Sequence, residues 1–207
     1  MKRSRSSNAW LREHVNDTFV QRARSEGYRS RAAYKLKEID DKDHLIGPAR
    51  IVVDLGASPG GWSQVVTERC ARHGQVIALD LIAMKPLAGV TFLRGDFFEP
   101  QILDQLEKLL AGNKAGLVLS DMAPNISGIA LCDQARVIAL AELALDFAGR
   151  WLQPEGAFLV KVFHGHGFDD FRKKMSLAFK TIALRKPLAS RDRSSEIYLL
   201  GRNPIAG

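Results

Sequence analysis

The chain has 207 residues, enough for one well-filled domain, and its hydrophobic content of 46% is ordinary for a globular protein. No apolar run approaches the roughly 20 residues that a membrane-spanning helix needs, and the basic N-terminal stretch lacks the apolar core of a secretory signal. The two cysteines, Cys70 and Cys132, suit a reducing compartment, so we expect a cytoplasmic protein.

The formal net charge of +7 is concentrated at the two ends of the sequence. Residues 1–37 contain ten Lys/Arg and three Asp/Glu, and residues 172–202 contain nine and two. The middle, residues 38–171, contains eleven Lys/Arg and eighteen Asp/Glu. Two basic ends around an acidic middle are typical of a protein that binds nucleic acid, although either end alone would also fit a solvated surface.

The N-terminal region is predicted to be helical. A first helix has one apolar face, formed by Trp10, Leu11, Val15, Phe19 and Val20. A second helix begins near Ser30, a residue that caps helices well, and carries Ala33, Leu36 and Ile39. We expect residues 1–45 to form a basic helical extension that packs on a single domain spanning 1–207.

From residue 51 onward the pattern alternates between strands and helices. Strands are predicted at 51–55, 75–80, 90–94, 116–121, 156–163, 182–185 and 196–200. Helices are predicted after the first strand to about residue 72, and at 101–110, 133–152 and 168–179. The last two strands have no room for a helix between them, which predicts an antiparallel hairpin. This order predicts an α/β, Rossmann-like fold with a mostly parallel seven-stranded sheet.

Candidate ligand-binding residues follow the carboxyl ends of the predicted strands, where such sheets bind ligands. A glycine-rich turn from Gly56 to Trp62 follows the first strand, and Asp80 ends the second. Asp96 follows the third strand, and Asp121 ends the fourth. Four such features in series indicate a ligand site at this edge of the sheet.

Three ligands compete for the turn, D-L-G-A-S-P-G-G-W at 54–62. A nucleoside triphosphate loop is rejected because Trp62 stands where that motif needs lysine. A dinucleotide loop fits poorly because Ser58 occupies the place of its second glycine. S-adenosylmethionine needs a close backbone approach and an acid for the ribose, and Asp80 follows Gly60 at about the usual spacing for such an acid.

The chain resembles the FtsJ/RrmJ (RlmE) family of ribosomal RNA 2′-O-methyltransferases. The resemblance rests on S-R-A-A-Y-K-L-K-E-I, D-L-G-A-S-P-G-G-W-S-Q, L-S-D-M-A-P-N, L-V-K-V-F and S-S-E-I-Y, and runs from about residue 10 to residue 202. Ser58 stands where the family more often has alanine. The resemblance implies a methyltransferase fold and S-adenosylmethionine as cofactor. The cofactor-binding residues implied are Gly56, Pro59, Gly60, Gly61, Trp62, Asp80, Asp96 and Asp121.

The resemblance also implies a catalytic group of two lysines and two acids. Lys35, Asp121, Lys161 and Glu196 carry over to its four places. Lys161 lies inside a predicted strand, where burial disfavours an ammonium, so a neutral amine there could accept the proton of a ribose hydroxyl. We expect Lys161 to be the general base. The alternative for a lone lysine is an edge-strand side chain that reaches solvent.

The substrate implied by the resemblance is a uridine in large-subunit ribosomal RNA, within the assembled subunit, and we expect a monomer. The alternatives are a methyltransferase for transfer RNA or an mRNA cap, or a ribosome assembly factor without turnover. His164 and His166 lack a third ligand at a known spacing, so no metal site is predicted.

Overall fold

The computed structural model describes residues 17–70, 74–124, 127–191 and 194–205. The helices are α1 (Thr18–Ser25), α2 (Ala32–Asp43), α3 (Gly61–Arg69), α4 (Pro100–Leu110), α5 (Ala130–Trp151) and α6 (Phe168–Ala178). The strands are β1 (Ile51–Leu55), β2 (Gln75–Asp80), β3 (Val90–Arg94), β4 (Ala115–Ser120), β5 (Leu152–Phe163), β6 (Phe179–Arg185) and β7 (Glu196–Pro204). None of the helices in these ranges is long and apolar enough to cross a membrane.

The strands form one seven-stranded sheet in the order β3-β2-β1-β4-β5-β7-β6. The first five strands are parallel, whereas β7 runs antiparallel to both of its neighbours. This confirms the predicted mostly parallel sheet and its C-terminal hairpin. The order reverses between β1 and β4, so their connections leave on opposite sides and open a crevice at the carboxyl edge.

The strands and helices occur where the sequence predicts them, and the differences lie at the ends of these elements. The bounds of β1, β2 and β3 are those predicted. Strand β5 begins four residues earlier than predicted, at Leu152, because the Q-P-E-G stretch stays extended beside β4, where the register shifts. Helix α3 ends at Arg69 instead of near residue 72. Of the first predicted helix, Trp10, Leu11 and Val15 lie outside the described residues.

Two apolar layers cover the sheet because neighbouring strand residues point to opposite faces. Val53 of β1 packs with α4, α5 and α6, whereas Val52 packs with α2 and α3. Leu36 and Ile39 of α2 are fully or almost fully buried in this second layer. Helix α2 is thus part of the hydrophobic core.

Among the described residues, one carboxyl group is fully buried at the centre of the sheet. Asp54 of β1 is 0% exposed, and its Oδ2 accepts a 2.7 Å hydrogen bond from Ser63 Oγ. Its Oδ1 has no hydrogen-bond partner among the described residues. Burial raises the pKa of Asp54 to about 7. The hydrogen bond from Ser63 acts to lower this pKa, whereas repulsion from Asp121 and Asp80 adds to the rise.

This buried acid predicts a pH dependence of stability. Between about pH 4 and pH 7 the folded chain holds a proton on Asp54 that the unfolded chain has lost, so stability falls as pH rises through this window. Asp54→Asn does not titrate there. From pH 5 to pH 8 the free energy of unfolding of the wild type should fall relative to that of Asp54→Asn by about 3 kcal/mol. Urea unfolding of both proteins measures it, and a pH-independent difference would contradict the assignment.

Candidate active site

A cavity of about 550 Å³ lies at the carboxyl edge of the sheet, at the reversal between β1 and β4. Its wall is formed by Gly56, Ser58, Leu79, Asp80, Leu81, Ile82, Gly95, Asp96, Phe97, Phe98, Asp121, Met122, Ala123, Pro124, Arg136 and Leu140. These residues come from the carboxyl end of β2, from the turns after β1, β2, β3 and β4, and from α5. Four of the predicted cofactor residues, Gly56, Asp80, Asp96 and Asp121, are among them.

The two acids on the β2 and β3 side are oriented by backbone amides. Asp80 accepts from Ser58 N at 2.8 Å through Oδ2 and from Ile82 N at 2.7 Å through Oδ1. Asp96 accepts from Phe98 N at 3.0 Å through Oδ1. A carboxylate has about four acceptor sites, so both acids keep capacity for hydroxyl or amino donors of a ligand.

The glycine-rich turn reaches the cavity with only part of its length. Pro59, Gly60, Gly61 and Trp62 do not line the cavity wall, although resemblance assigned them to the cofactor. Gly60 has a φ of 109° and is the N-cap of α3, so it takes a left-handed conformation that favours glycine. Pro59 follows a cis peptide bond.

The side chain of Trp62 points into the core. It is 3% exposed, donates from Nε1 to the carbonyl oxygen of Ala32 at 2.8 Å, and packs on Tyr198 with ring centroids 5.7 Å apart. Trp62 therefore joins α3 to the start of α2, and only its backbone is available to a ligand.

The residues present fit S-adenosylmethionine. A Cβ at Gly56 would lie 2.7 Å from the backbone nitrogen of Met122, so the turns after β1 and β4 meet at the cavity without side chains between them. Oriented carboxylates face the same space from β2 and β3, as ribose hydroxyls and an adenine amino group require. The acidic wall also suits a positively charged ligand.

Arg29 ties the N-terminal segment to the turns beside the cavity. Its guanidinium donates to the carbonyl oxygens of Lys85 and Pro86, each at 2.7 Å, and of Pro59 at 3.3 Å. A Cβ at Gly60 would lie 2.9 Å from Arg29 Nη1. The guanidinium thus fixes the glycine-rich turn against the loop after β2.

The first half of the predicted catalytic group is a buried ion pair. Lys161 of β5 is 8% exposed, and its Nζ lies 3.1 Å from Asp121 Oδ1. The same amine donates to the backbone oxygen of Asp121 at 2.7 Å. β4 and β5 are neighbours, which is why the end of one strand meets a residue within the other. The edge-strand alternative for Lys161 is wrong, because β5 lies between β4 and β7.

The second half is another ion pair, between Lys35 of α2 and Glu196 at the start of β7. Lys35 Nζ lies 2.6 Å from Glu196 Oε1, which also accepts from Ser190 Oγ at 2.9 Å. Both charged side chains are almost covered, with exposures of 13% and 11%. All four residues assigned by resemblance are therefore paired, two by two.

Tyr198 lies between the two pairs, and sequence reasoning did not identify it. Its hydroxyl donates to Asp121 Oδ1 at 3.0 Å, and Lys35 Nζ lies 5.8 Å from its ring centroid. Burial, with the negative charges of Asp121 and Glu196, raises the pKa of Tyr198 well above 10, so the phenol stays protonated and keeps donating. Its position two residues after Glu196, on the same face of β7, is the signal that could have found it.

Two histidines follow β5 in an exposed loop. The ring of His164 lies edge-on to that of Phe168, with centroids 4.9 Å apart, and His166 is exposed. No group of three metal-ligating side chains occurs within the ranges that the structure describes.

Comparison with known proteins places the chain in a family. The FtsJ-like methyltransferase family matches residues 28–204. Ribosomal RNA large subunit methyltransferase E from Azoarcus sp. (strain BH72) is 61% identical over 201 residues, covering 97% of this chain and 98% of that protein. The protein of the same name from Dechloromonas aromatica is 60% identical over 202 residues, 98% of both chains.

Among solved structures, a ribosomal RNA methyltransferase from Plasmodium falciparum matches with a TM-score of 0.74 and 28% identity, over 86% of this chain and 98% of that one. The resemblance read from the motifs is thereby confirmed: this chain belongs to the FtsJ-like methyltransferase family and uses S-adenosylmethionine.

Proposed function

We propose that this protein methylates the ribose 2′-hydroxyl of a uridine in large-subunit ribosomal RNA. The observation that carries the proposal is the reaction centre itself, in which the Lys161–Asp121 and Lys35–Glu196 pairs meet around Tyr198 beside an acidic cavity. The curated relatives are named for large-subunit ribosomal RNA, which supports that RNA as the substrate. The protein acts in the cytoplasm as a monomer with one domain.

The residues at the carboxyl edge of the sheet would hold the cofactor. Asp80 would accept hydrogen bonds from its ribose hydroxyls, and Asp96 would accept one from the adenine amino group. Gly56 and the backbone of the turn through Pro59, Gly60, Gly61 and Trp62 allow close approach to its amino-acid part. Asp121 closes this end of the cavity and also holds Lys161, so the cofactor site and the reaction centre share one residue.

The contacts of Lys161 support its role as the base. Its amine donates to the backbone oxygen of Asp121 at 2.7 Å, and Asp121 Oδ1 lies 3.1 Å from the same nitrogen. These contacts hold the amine at the carboxyl edge of the sheet, where it would accept the proton of the substrate hydroxyl.

The cofactor supplies a methyl group on a positively charged sulfur, already a strong electrophile. The protein's task is to align the 2′-oxygen in line with that methyl group and to remove the hydroxyl proton. Lys161 Nζ would accept the hydroxyl proton while the 2′-oxygen takes the methyl group from the sulfur. The products are a 2′-O-methylated ribose, S-adenosylhomocysteine and a Lys161 ammonium beside the Asp121 carboxylate.

The proposal predicts which substitutions stop the reaction. Lys161→Ala removes the proton acceptor and should lower kcat by about 10²–10⁴-fold. Lys161→Arg should fail as well, because a guanidinium stays protonated. Glu196→Ala, one step from the reacting atoms, should have a milder effect. Single-turnover methyl transfer and S-adenosylmethionine binding measure the two steps separately.

Lys108→Arg is the matched control for Lys161→Arg, because Lys108 is exposed in the last turn of α4. It should leave both measurements unchanged. Substantial methyl transfer by Lys161→Arg would rule out the general base and leave alignment as the role of Lys161.

The basic N-terminal end is only partly available for RNA. Arg22 pairs with Glu26 at 2.6 Å, and Arg31 pairs with Asp17. Arg29 donates to carbonyl oxygens of the glycine-rich turn and of the loop after β2. The fourth arginine of this group, Arg24, is exposed and makes no hydrogen bond or ion pair with the described residues. Of the four neighbouring arginines Arg22, Arg24, Arg29 and Arg31 in the basic N-terminal end, three therefore have structural partners.

Arg24 and Arg29 make a matched pair for the next prediction. Arg24→Ala should reduce the slope of log RNA affinity against log salt by about 0.7 on single-stranded or looped RNA, with cofactor binding unchanged. Arg29→Ala frees three carbonyl oxygens at the cofactor turns and should weaken S-adenosylmethionine binding severalfold. Titrations at several salt concentrations and calorimetry measure these effects, and the reverse pattern would overturn both roles.

The form of the substrate is tested directly. We propose that the assembled large subunit is the substrate, so methyl transfer to unmethylated subunits should be much faster than transfer to free ribosomal RNA. Transfer RNA and capped messenger RNA serve as competing substrates in the same radioactive assay. Equal rates on free RNA and subunits would reject the subunit, and preference for transfer RNA or the cap would reject the whole substrate assignment.

A further inference from the structure

The turn between β6 and β7 is fixed to α2 by one carboxylate. Glu38 accepts from Leu188 N at 2.6 Å through Oε2 and from Ala189 N at 3.1 Å through Oε1. Arg31, at the start of the same helix, donates to the carbonyl oxygen of Ala189. Successive backbone groups of the turn are therefore held by two side chains of α2.

The same turn leads directly to the reaction centre. Ser190, the next residue, is 3% exposed, and its Oγ donates to Glu196 Oε1 at 2.9 Å. Lys186, at the other side of the turn, donates to the backbone oxygens of Ser194 at 2.6 Å and Glu196 at 2.5 Å. The position of Glu196 thus depends on the conformation of this turn.

Helix α2 holds Glu196 by two routes. Lys35 contacts its carboxylate directly, and Glu38 lies three residues further, on the same helix face. Glu38 fixes the amide of Ala189, next to the serine that contacts that carboxylate. Both routes end at the same atom, Glu196 Oε1.

We propose that Glu38 is a positioning residue for the methyl transfer. It sets the turn so that the Ser190 hydroxyl holds Glu196 in place against Lys35. The inference rests on the proposed function, in which the Lys35–Glu196 pair belongs to the reaction centre and Glu196 acts one step from the reacting atoms. Glu38 touches neither the cofactor nor the reacting atoms and acts through Ser190.

A carboxylate at the other end of α2 supplies the matched control. Asp43 accepts from Arg185 Nε at 2.6 Å and from Nη2 at 2.7 Å, so it also fixes α2 to the hairpin. It lies eight residues from Lys35, about 12 Å along the helix. Asp43→Asn should therefore destabilise the fold much as Glu38→Gln does without moving Glu196.

The experiment is a double-mutant cycle with Glu38→Gln, Ser190→Ala and their combination. Glu38→Gln leaves one amide of the turn facing an N–H donor. We expect kcat to fall about tenfold, and by no more than Glu196→Ala lowers it, with cofactor affinity unchanged. Ser190→Ala should give a similar loss. The combination should lose no more kcat than the more damaged single variant, because both substitutions break one chain of contacts.

The outcomes separate a positioning role from a structural one. The proposal would be overturned if the losses in kcat of the two single variants multiply in the double variant. It would also be overturned if Asp43→Asn lowers kcat by the same factor at an equal loss of stability. Glu38→Asp keeps the charge but withdraws the carboxylate by one methylene, and it replaces Glu38→Gln in the cycle if that variant does not fold. Glu196→Ala is assayed beside them: full activity there would reject the role of Glu196 itself, which is a separate failure.

Discussion

A lysine amine inside a β-sheet is the constraint on which the proposed reaction centre depends. Lys161 lies on a strand with neighbours on both sides, and a buried amine without partners would be costly. Asp121 supplies a backbone acceptor and a carboxylate charge partner just after β4, and Tyr198 donates to the same carboxylate. The partners are thus fixed by strand order, and no loop needs to close to assemble them.

The antiparallel placement of β7 completes this arrangement. Because β7 runs against β5, its first residues lie at the carboxyl end of β5, and Tyr198 pairs in register with Lys161. Glu196 lies opposite Phe163, where β5 leaves the sheet. A parallel seventh strand would bring its last residues to this edge. The hairpin therefore matters for chemistry as well as for closing the sheet.

The sequence predicted the sheet and the strand-end acids because both follow from local pattern. Alternation of strands and helices determines the parallel order, and parallel order brings Asp80, Asp96 and Asp121 to one edge. The sequence pattern did not predict partners that come from distant parts of the chain. Glu38 and Ala189 are 151 residues apart, and Arg29 and Pro86 are 57 apart. Composition likewise did not separate an arginine that donates to carbonyl oxygens from one that is available to phosphate.

These long-range contacts converge on the N-terminal part of the domain. Arg29 donates to the glycine-rich turn and to the loop after β2, Lys35 pairs with Glu196, and Trp62 donates to the backbone of α2. Leu36 and Ile39 meanwhile fill the apolar layer beneath. A segment that looks from its charge like an accessory RNA-binding arm therefore contacts both the turns beside the cavity and the proposed reaction centre. Because Arg29 lies just before α2 and Lys35 lies on it, we expect a shift of α2 to disturb cofactor binding and catalysis together, so substitutions that separate the two must act on single side chains.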